Sequence, residues 1–300
     1  MCIIVIENLG HNHNKLILEN AFAHEQMPHA WLFTGPRGVG KASLAVNFVR
    51  NILQKDNETD LSAHPHFFQL RSEDATINIE DVRKLIDFLN LTSFNAQYRF
   101  CLIDTIDALN VNASNALLKI LEDPPEKTIF FLISHRPYNV LKTIKSRCVQ
   151  LRFHYLSYET TKDIIESKMP SILPFYESLY DLLKGVPGQF LTLEKHQGID
   201  LFKNLQNLLN KNEVDFINFG VLIQKIIEVP PLYEIFKSLF ISLQVQKNKD
   251  LICKSSCFSN IEYKKNQCIA SLPEKFYKTE ILHLDKSLVF LESYSTFVNR

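Results

Sequence analysis

The sequence lacks any apolar run of the roughly 18 residues that a membrane-spanning helix needs. Its first residues, MCIIVIENLGHNHN, also lack the basic segment and the long apolar core of a secretory signal peptide. The formal net charge is +0 at pH 7, which argues against a protein whose whole surface binds polyanions, although a local basic patch stays open. We therefore expect a cytoplasmic protein without a membrane segment.

Cysteine is scarce and scattered along the chain. The six cysteines stand at positions 2, 101, 148, 253, 257 and 268, and we expect reduced thiols rather than disulfides. Cys253 and Cys257, with Cys268 and His283 further on, match no strong zinc template. The segment 53–64 contains no cysteine at all. We therefore expect no metal site.

The first half of the chain alternates strands and helices. With 300 residues, 46% of them hydrophobic, the chain can bury sizeable cores and about two or three domains are expected. Short apolar runs predict strands at 30–34, 66–70, 99–104, 128–134 and 149–153, and helical spacing predicts helices at 41–53, 79–91 and 114–121. This alternation predicts a parallel sheet with helices on both faces, that is, an α/β core.

After about residue 153 helical periodicity dominates the sequence. Helices are predicted at 157–168, 175–184, 199–209, 214–227, 232–245 and 278–297, with breaks at 230–231 and at the polar stretch 247–250. Phe236, Leu239, Phe240 and Leu243 form an apolar stripe that is either core or a contact between subunits. The layout is an α/β core followed by an all-helical half. The helical half is itself divided near residue 198.

The stretch LFTGPRGVGKASLAVNF, residues 32–48, has the pattern of a phosphate-binding loop between a strand and a helix. Gly35, Gly38 and Gly40 allow the tight backbone path, and successive N–H groups then point at phosphate oxygens. The helix that follows adds its positive end, and Lys41 would reach the outer phosphates. A glycine-rich turn with a chance lysine does not explain this context, so the sequence predicts a P-loop fold.

Two groups that hydrolysis requires are missing from this pattern. Ala42 stands where a hydroxyl would bind magnesium, and Ser43 does not replace it because one helical step rotates a side chain by ~100°. In "CLIDT", Asp104 could join a metal shell, but Thr105 stands where a water-activating carboxylate is expected. Metal binding and water positioning carry phosphoryl transfer in this class. We expect no hydrolysis, while binding of ATP or ADP stays open.

Four ordered stretches resemble the bacterial clamp-loader subunits of the AAA+ class. They are HAWLFTGPRGVGKASLA (29–45), HPHFFQL (64–70), ASNALLKILEDPPEKTIFFLIS (113–134) and TIKSRCVQLRF (143–153). The resemblance spans roughly residues 1–200. The remainder fits the family in its helical character rather than by a motif. It implies an AAA+ P-loop core at 1–153, a helical lid at 154–198 and a helical collar, or oligomerisation, domain at 199–300. Many relatives carry a four-cysteine zinc module after the P-loop helix, which is absent here.

The tripeptide Ser146-Arg147-Cys148 resembles the arginine-finger element of this family. The resemblance implies that Arg147 acts in trans, on ATP held by a neighbouring motor subunit, where its planar guanidinium stabilises phosphate charge. The alternative is an arginine that pairs with a carboxylate of its own domain. Ser134 stands at the family's polar sensor position, although it could equally cap its strand. Gly188 stands where active relatives often carry a lid arginine.

Because the hydroxyl and the carboxylate are missing, the resemblance favours a stator subunit over the gamma/tau motor. The implied partners are the gamma/tau and delta subunits, with the sliding clamp and primer-template DNA reached through the complex. The chain would be a non-catalytic part of a DNA-directed DNA polymerase, a nucleotidyltransferase. The alternatives are an active gamma/tau-like ATPase and a stand-alone P-loop enzyme such as a small-molecule kinase.

Overall fold

The computed structural model describes residues 10–53, 61, 64–71, 76–90, 98–210, 215–254, 274–276 and 285–298. They form two compact units. The first contains the described residues up to Ile164 together with Gly185–Gly188, and the second contains Ile165–Lys184 and those from Gln189 onward. No helix in these ranges is both long enough and apolar enough to cross a membrane.

A parallel sheet forms the centre of the first unit. Its strands are β1 Ala30–Thr34, β2 Phe67–Arg71, β3 Arg99–Asp104, β4 Thr128–Ser134 and β5 Val149–Arg152, in the order β2-β3-β4-β1-β5. All neighbouring strands run parallel. Since parallel strands end at one edge of a sheet, the loop after β1 lies at the same edge as the ends of β3 and β4. The predicted α/β core with a parallel sheet is confirmed.

Helices cover both faces of this sheet. Those of the first unit are α1 Asn12–Ala23, α2 Lys41–Leu53, α3 Ile79–Asn90, α4 Val111–Glu122 and α5 Lys142–Lys145, and α6 spans Tyr158–Lys168. Phe130 and Leu132 of β4 pack in one cluster with Leu85 of α3 and Leu117 of α4. Their neighbour Phe131 meets the ring of Phe48 of α2 on the other face, as the alternation of side chains along a strand requires.

The second unit is built from helices. They are α7 Tyr176–Leu183, α8 Pro187–Lys195, α9 Gly198–Asn210, α10 Phe216–Ile227, α11 Pro230–Lys254 and α12 Lys286–Val298, with a 3-10 segment at Pro170–Phe175. The rings of Phe219 and Tyr294 stack at 4.0 Å between centroids, and Phe240 and Phe290 meet at 5.1 Å. Phe236, Leu239 and Phe240 are fully buried in this unit, so this part of the apolar stripe of α11 is core. The side chain of Leu243 lies outside the described residues.

The polar stretch 247–250 does not end a helix, contrary to the sequence prediction. The helix α11 continues to Lys254. Lysine, asparagine and aspartate lower helix propensity only modestly, and the stretch contains neither glycine nor proline. The break at 230–231 does exist, and Pro230 and Pro231 occupy the first turn of α11, where a missing N–H costs nothing.

Candidate functional site

A glycine-rich loop joins the end of β1 to the start of α2. Gly35, Gly38 and Gly40 have φ values of +144°, +86° and +105°. These conformations are open to glycine and strained for other residues. The backbone of this loop therefore depends on all three glycines, and the first turn of α2 begins directly behind it at Lys41.

The ammonium group of Lys41 is bound by the loop itself. Its Nζ donates to the carbonyl of Gly35 at 2.7 Å and to that of Pro36 at 2.6 Å. Burial lowers the pKa of Lys41 to about 8, and the carboxylates of Asp104 and Asp107 oppose this shift. A phosphate group bound here would have to replace the two carbonyls as the partner of the ammonium group.

Two contacts close the loop from the sides within the first unit. The amide of Gly188 donates to the carbonyl of Gly38 at 2.9 Å, and a Cβ at Gly188 would lie 2.8 Å from the Cα of Gly38. An arginine in place of Gly188 does not fit this arrangement. On another side, Nε2 of His11 lies 3.0 Å from the carbonyl of Val39. Nothing in the sequence indicated that His11 would reach a loop 28 residues away.

Near the loop, the described residues offer no set of ligands for a magnesium ion. Ala42 offers no hydroxyl, and Ser43 lies half-buried one residue further along α2. Asp104 ends β3, and Arg71 is its partner in register at the end of β2. Nε of Arg71 lies 3.7 Å from Oδ2 of Asp104. The carboxylate of Asp104 is thus already partnered by a guanidinium, and with Ala42 in place of a hydroxyl the residues present fit a phosphate but do not fit a magnesium ion.

The turn after β3 is held by Asp107. Its carboxylate accepts hydrogen bonds from Oγ of Ser134 at 2.7 Å and from the amides of His135 at 2.6 Å and Arg136 at 3.1 Å. Thr105 has a φ of +73°, which is rare for a β-branched residue. The hydroxyl of Ser134, fully buried, therefore serves to join this turn to the end of β4.

His135 stays neutral at physiological pH. Burial, with a smaller contribution from the nearby cations Lys41 and Arg37, lowers its pKa to about 3. Its Nε2 lies 3.4 Å from Oγ1 of Thr105, at the position where a water-activating carboxylate was expected. An imidazole whose pKa is lowered this far is a weak base toward a proton of water.

Arg147 lies between α5 and β5 and forms an ion pair with its own unit. Its Nη2 donates to Oε1 of Glu122 at 2.7 Å, and its Nη1 donates to the carbonyl of Thr143 at 2.9 Å. The two charged side chains are 34% and 53% exposed. The alternative contact considered from the sequence therefore exists. A pair this exposed contributes only about 0–1 kcal/mol to the stability of the fold.

Arg147 and the glycine-rich loop lie at opposite ends of two neighbouring parallel strands, β5 and β1. β5 pairs with β1 in parallel, with Val149 beside Trp31 and Arg152 beside Thr34. Arg147 comes before β5, whereas the loop follows β1. The length of β1 separates the two, and five residues at about 3.3 Å each span roughly 17 Å. Arg147 therefore does not act on a phosphate in the loop of its own chain.

The zinc candidates of the sequence lie elsewhere. Cys257, Cys268 and His283 fall outside the described residues, as does the side chain of Cys253. Cys101 is buried in the first unit, and Cys148 is half-buried beside Arg147, both as free thiols. Burial raises the pKa of Cys148 to about 12, so this thiol is not a reactive thiolate.

Comparison with known proteins agrees with this geometry. Residues 10–157 match the family model described as DNA polymerase III, delta subunit. The chain is similar to DNA polymerase III subunit delta' of Pseudomonas aeruginosa, with 39% identity over 42% of this chain and 43% of that protein. It is also similar to subunit tau of Bacillus subtilis (strain 168), with 31% identity over 48% of this chain and 28% of that protein. The match thus covers less than half of either relative.

A solved structure resembles nearly the whole chain. It is a DNA polymerase III gamma subunit-related protein from Thermotoga maritima, with a TM-score of 0.56 and 18% identity. The likeness covers 98% of this chain and 99% of that one. At this identity it supports the fold alone: a parallel five-stranded sheet followed by a helical portion.

Proposed function

Because residues 10–157 of this chain belong to the family of DNA polymerase III clamp-loader subunits, which have the AAA+ fold, we propose that it acts as a delta' stator subunit. In this role it supplies Arg147 in trans to the ATP site of a neighbouring subunit and hydrolyses no ATP itself. Its task is to support the opening of the sliding clamp and its placement on primed DNA.

The observation that carries this proposal is the position of Arg147. The residue lies across the sheet from its own loop, and its side chain is 34% exposed. A guanidinium at this place does not reach the glycine-rich loop of its own chain, so any nucleotide that it contacts would belong to another chain. There it would stabilise the charge that spreads over the transferring phosphate oxygens, an effect worth roughly 10³–10⁵ in rate for such fingers.

The residues at the ends of β1, β3 and β4 support the proposal that the chain hydrolyses no ATP itself. Asp104 is paired with Arg71, Thr105 replaces the second carboxylate, and Ala42 replaces the hydroxyl. The fold that positions Arg147 is retained although the groups for hydrolysis are not. This combination fits a subunit that stimulates a neighbour better than a motor or a stand-alone P-loop enzyme.

The partners follow from the same family. We propose that the chain assembles with the gamma/tau and delta subunits and reaches the sliding clamp and primer-template DNA through that complex. It would then be a non-catalytic part of the DNA-directed DNA polymerase. The helical region 199–300 is proposed as the collar through which the subunits associate, and 154–198 as the lid.

Assembly is the direct test of this role. The purified chain, mixed with gamma/tau and delta subunits, is expected to co-elute with them in gel filtration as a complex of several chains. Alone, it is expected to show no magnesium-dependent ATP hydrolysis. A chain that elutes as a monomer in the presence of these subunits would contradict the stator role. ATP hydrolysis by the chain alone that Lys41→Ala abolishes would favour the gamma/tau-like motor instead.

We also propose that the glycine-rich loop binds ADP or ATP without hydrolysis. Binding requires the charged form of Lys41, whose pKa of about 8 in the free protein means that it loses its proton above that pH. The affinity for ADP is therefore expected to be constant below pH 8 and to fall up to about tenfold per pH unit above it. Titration calorimetry between pH 7 and about 9.5 measures this.

The matched variant for this titration is Lys41→Ala. It should bind ADP more weakly at pH 7 and lose the pH dependence, because the titrating group is gone. A wild-type affinity that does not change with pH, or a Lys41→Ala variant with the wild-type profile, would contradict the role of this ammonium group.

A further inference from the structure

We propose that Glu122 is a positioning residue for Arg147, holding its guanidinium ready for the phosphate of the neighbouring subunit. This inference rests on the proposed function. Its first support is geometry: Oε1 of Glu122 and the carbonyl of Thr143 bind different nitrogens of the guanidinium, at 2.7 Å and 2.9 Å. Two anchors on two nitrogens fix the plane of the group, which a single contact would not do.

The place of Glu122 in the fold is the second support. Glu122 is the last residue of α4, and Asp123 follows it as the C-cap. The carbonyl end of a helix carries partial negative charge, so acidic side chains are unfavourable there. The stability of α4 therefore gives no reason for a carboxylate at this position. The contact with Arg147, 25 residues along the chain, does give one.

The remaining donors of Arg147 are the third support. A guanidinium presents several N–H groups in a fixed fork, and the two anchors together with a 3.4 Å contact to Oγ of Ser146 use only part of them. The side chain stays 34% exposed at the edge of the sheet. The remaining N–H groups of the guanidinium can thus donate to a phosphate while Glu122 and Thr143 hold the side chain.

An arginine ordered in advance loses less conformational freedom when it meets the transition state. We therefore expect Glu122→Gln to lower kcat of clamp-stimulated ATP hydrolysis in the reconstituted loader by about three- to tenfold, within the range of coupling between residues in contact. KM for ATP should stay unchanged, because the neighbour's own loop binds the nucleotide. Glu122→Asp, which keeps the charge, should restore part of the rate.

A double-mutant cycle separates this inference from the proposed function. In an Arg147→Ala background, Glu122→Gln should have no further effect, because Glu122 acts through the arginine. The matched control is Asp123→Asn, which removes the adjacent exposed carboxylate and should leave kcat unchanged. Gel filtration checks that every variant assembles.

Two results are decisive and distinct. If Arg147→Ala itself leaves turnover unchanged, the finger assignment fails, and the inference about Glu122 falls with it. If Arg147→Ala lowers turnover but Glu122→Gln matches the wild type, or lowers both backgrounds by the same factor, the positioning role is overturned while the finger assignment stands.

Discussion

Replacing Arg147 by alanine is expected to abolish most of the ATP hydrolysis at one site of the assembled clamp loader. The guanidinium would stabilise the charge of the transferring phosphate, and loss of such a finger slows hydrolysis by about 10³-fold or more. Because the affected site belongs to one neighbour, rapid mixing of the loader with ATP, clamp and primed DNA should show one fewer ATP hydrolysed per complex in the first turnover. Steady-state turnover should fall with it.

The control for this experiment is a second arginine in a surface ion pair. Arg83 of α3 lies 3.6 Å from Glu80 and is 64% exposed, so Arg83→Ala removes the same charge from another part of the surface. It should leave the burst amplitude and the rate unchanged. A full burst with Arg147→Ala in a loader of correct composition would contradict the finger assignment. Arg147→Lys should also be slow, because an ammonium group cannot reproduce the planar fork.

Replacing Gly35 by alanine is expected to destabilise the first unit by about 3 kcal/mol. Gly35 has a φ of +144°, and a Cβ there would lie 2.2 Å from the carbonyl oxygen of Phe153. That oxygen belongs to backbone just after β5, so relief of the contact has to move either the loop or the end of the sheet. Thermal unfolding followed by circular dichroism should show Tm lower by roughly 5–10 °C.

Gly220 offers a matched control for this variant. It lies within α10, and a Cβ added there would meet no atom within 4 Å. Since alanine is favoured over glycine in a helix by about 0.5–1 kcal/mol, Gly220→Ala should raise Tm slightly. A Gly35→Ala protein as stable as the wild type would show that the loop can adopt another path, and the account of its glycines would then be wrong.

Local patterns fixed the strands at the centre of the sheet. The ranges predicted for β1, β3 and β4 coincide with the observed Ala30–Thr34, Arg99–Asp104 and Thr128–Ser134. These strands are buried almost throughout, so their sequences are continuous apolar runs with clear ends. Helices without such a signal were missed: α1 buries little, and α5 is only four residues long.

The sequence predicted individual residues of the candidate site but not the contacts between them. The glycines and Lys41 form a continuous motif, so the loop could be identified from residues 35–41 alone. The pairing of Asp104 with Arg71 depends on which strands are neighbours, and no local pattern encodes this. The role of Asp107 depends in the same way on β4 ending beside the turn after β3.

The amino-acid sequence by itself determined that the chain has a P-loop core with a helical second half, because hydrophobic period and turn chemistry act over a few residues. It also determined that alanine stands at position 42 and threonine at position 105, since these are identities at fixed spacings. Only the tertiary structure decided that Arg147 lies across the sheet from its own loop and is held by Glu122. Strand order and packing bring together residues far apart in the chain, and these are properties of the folded whole.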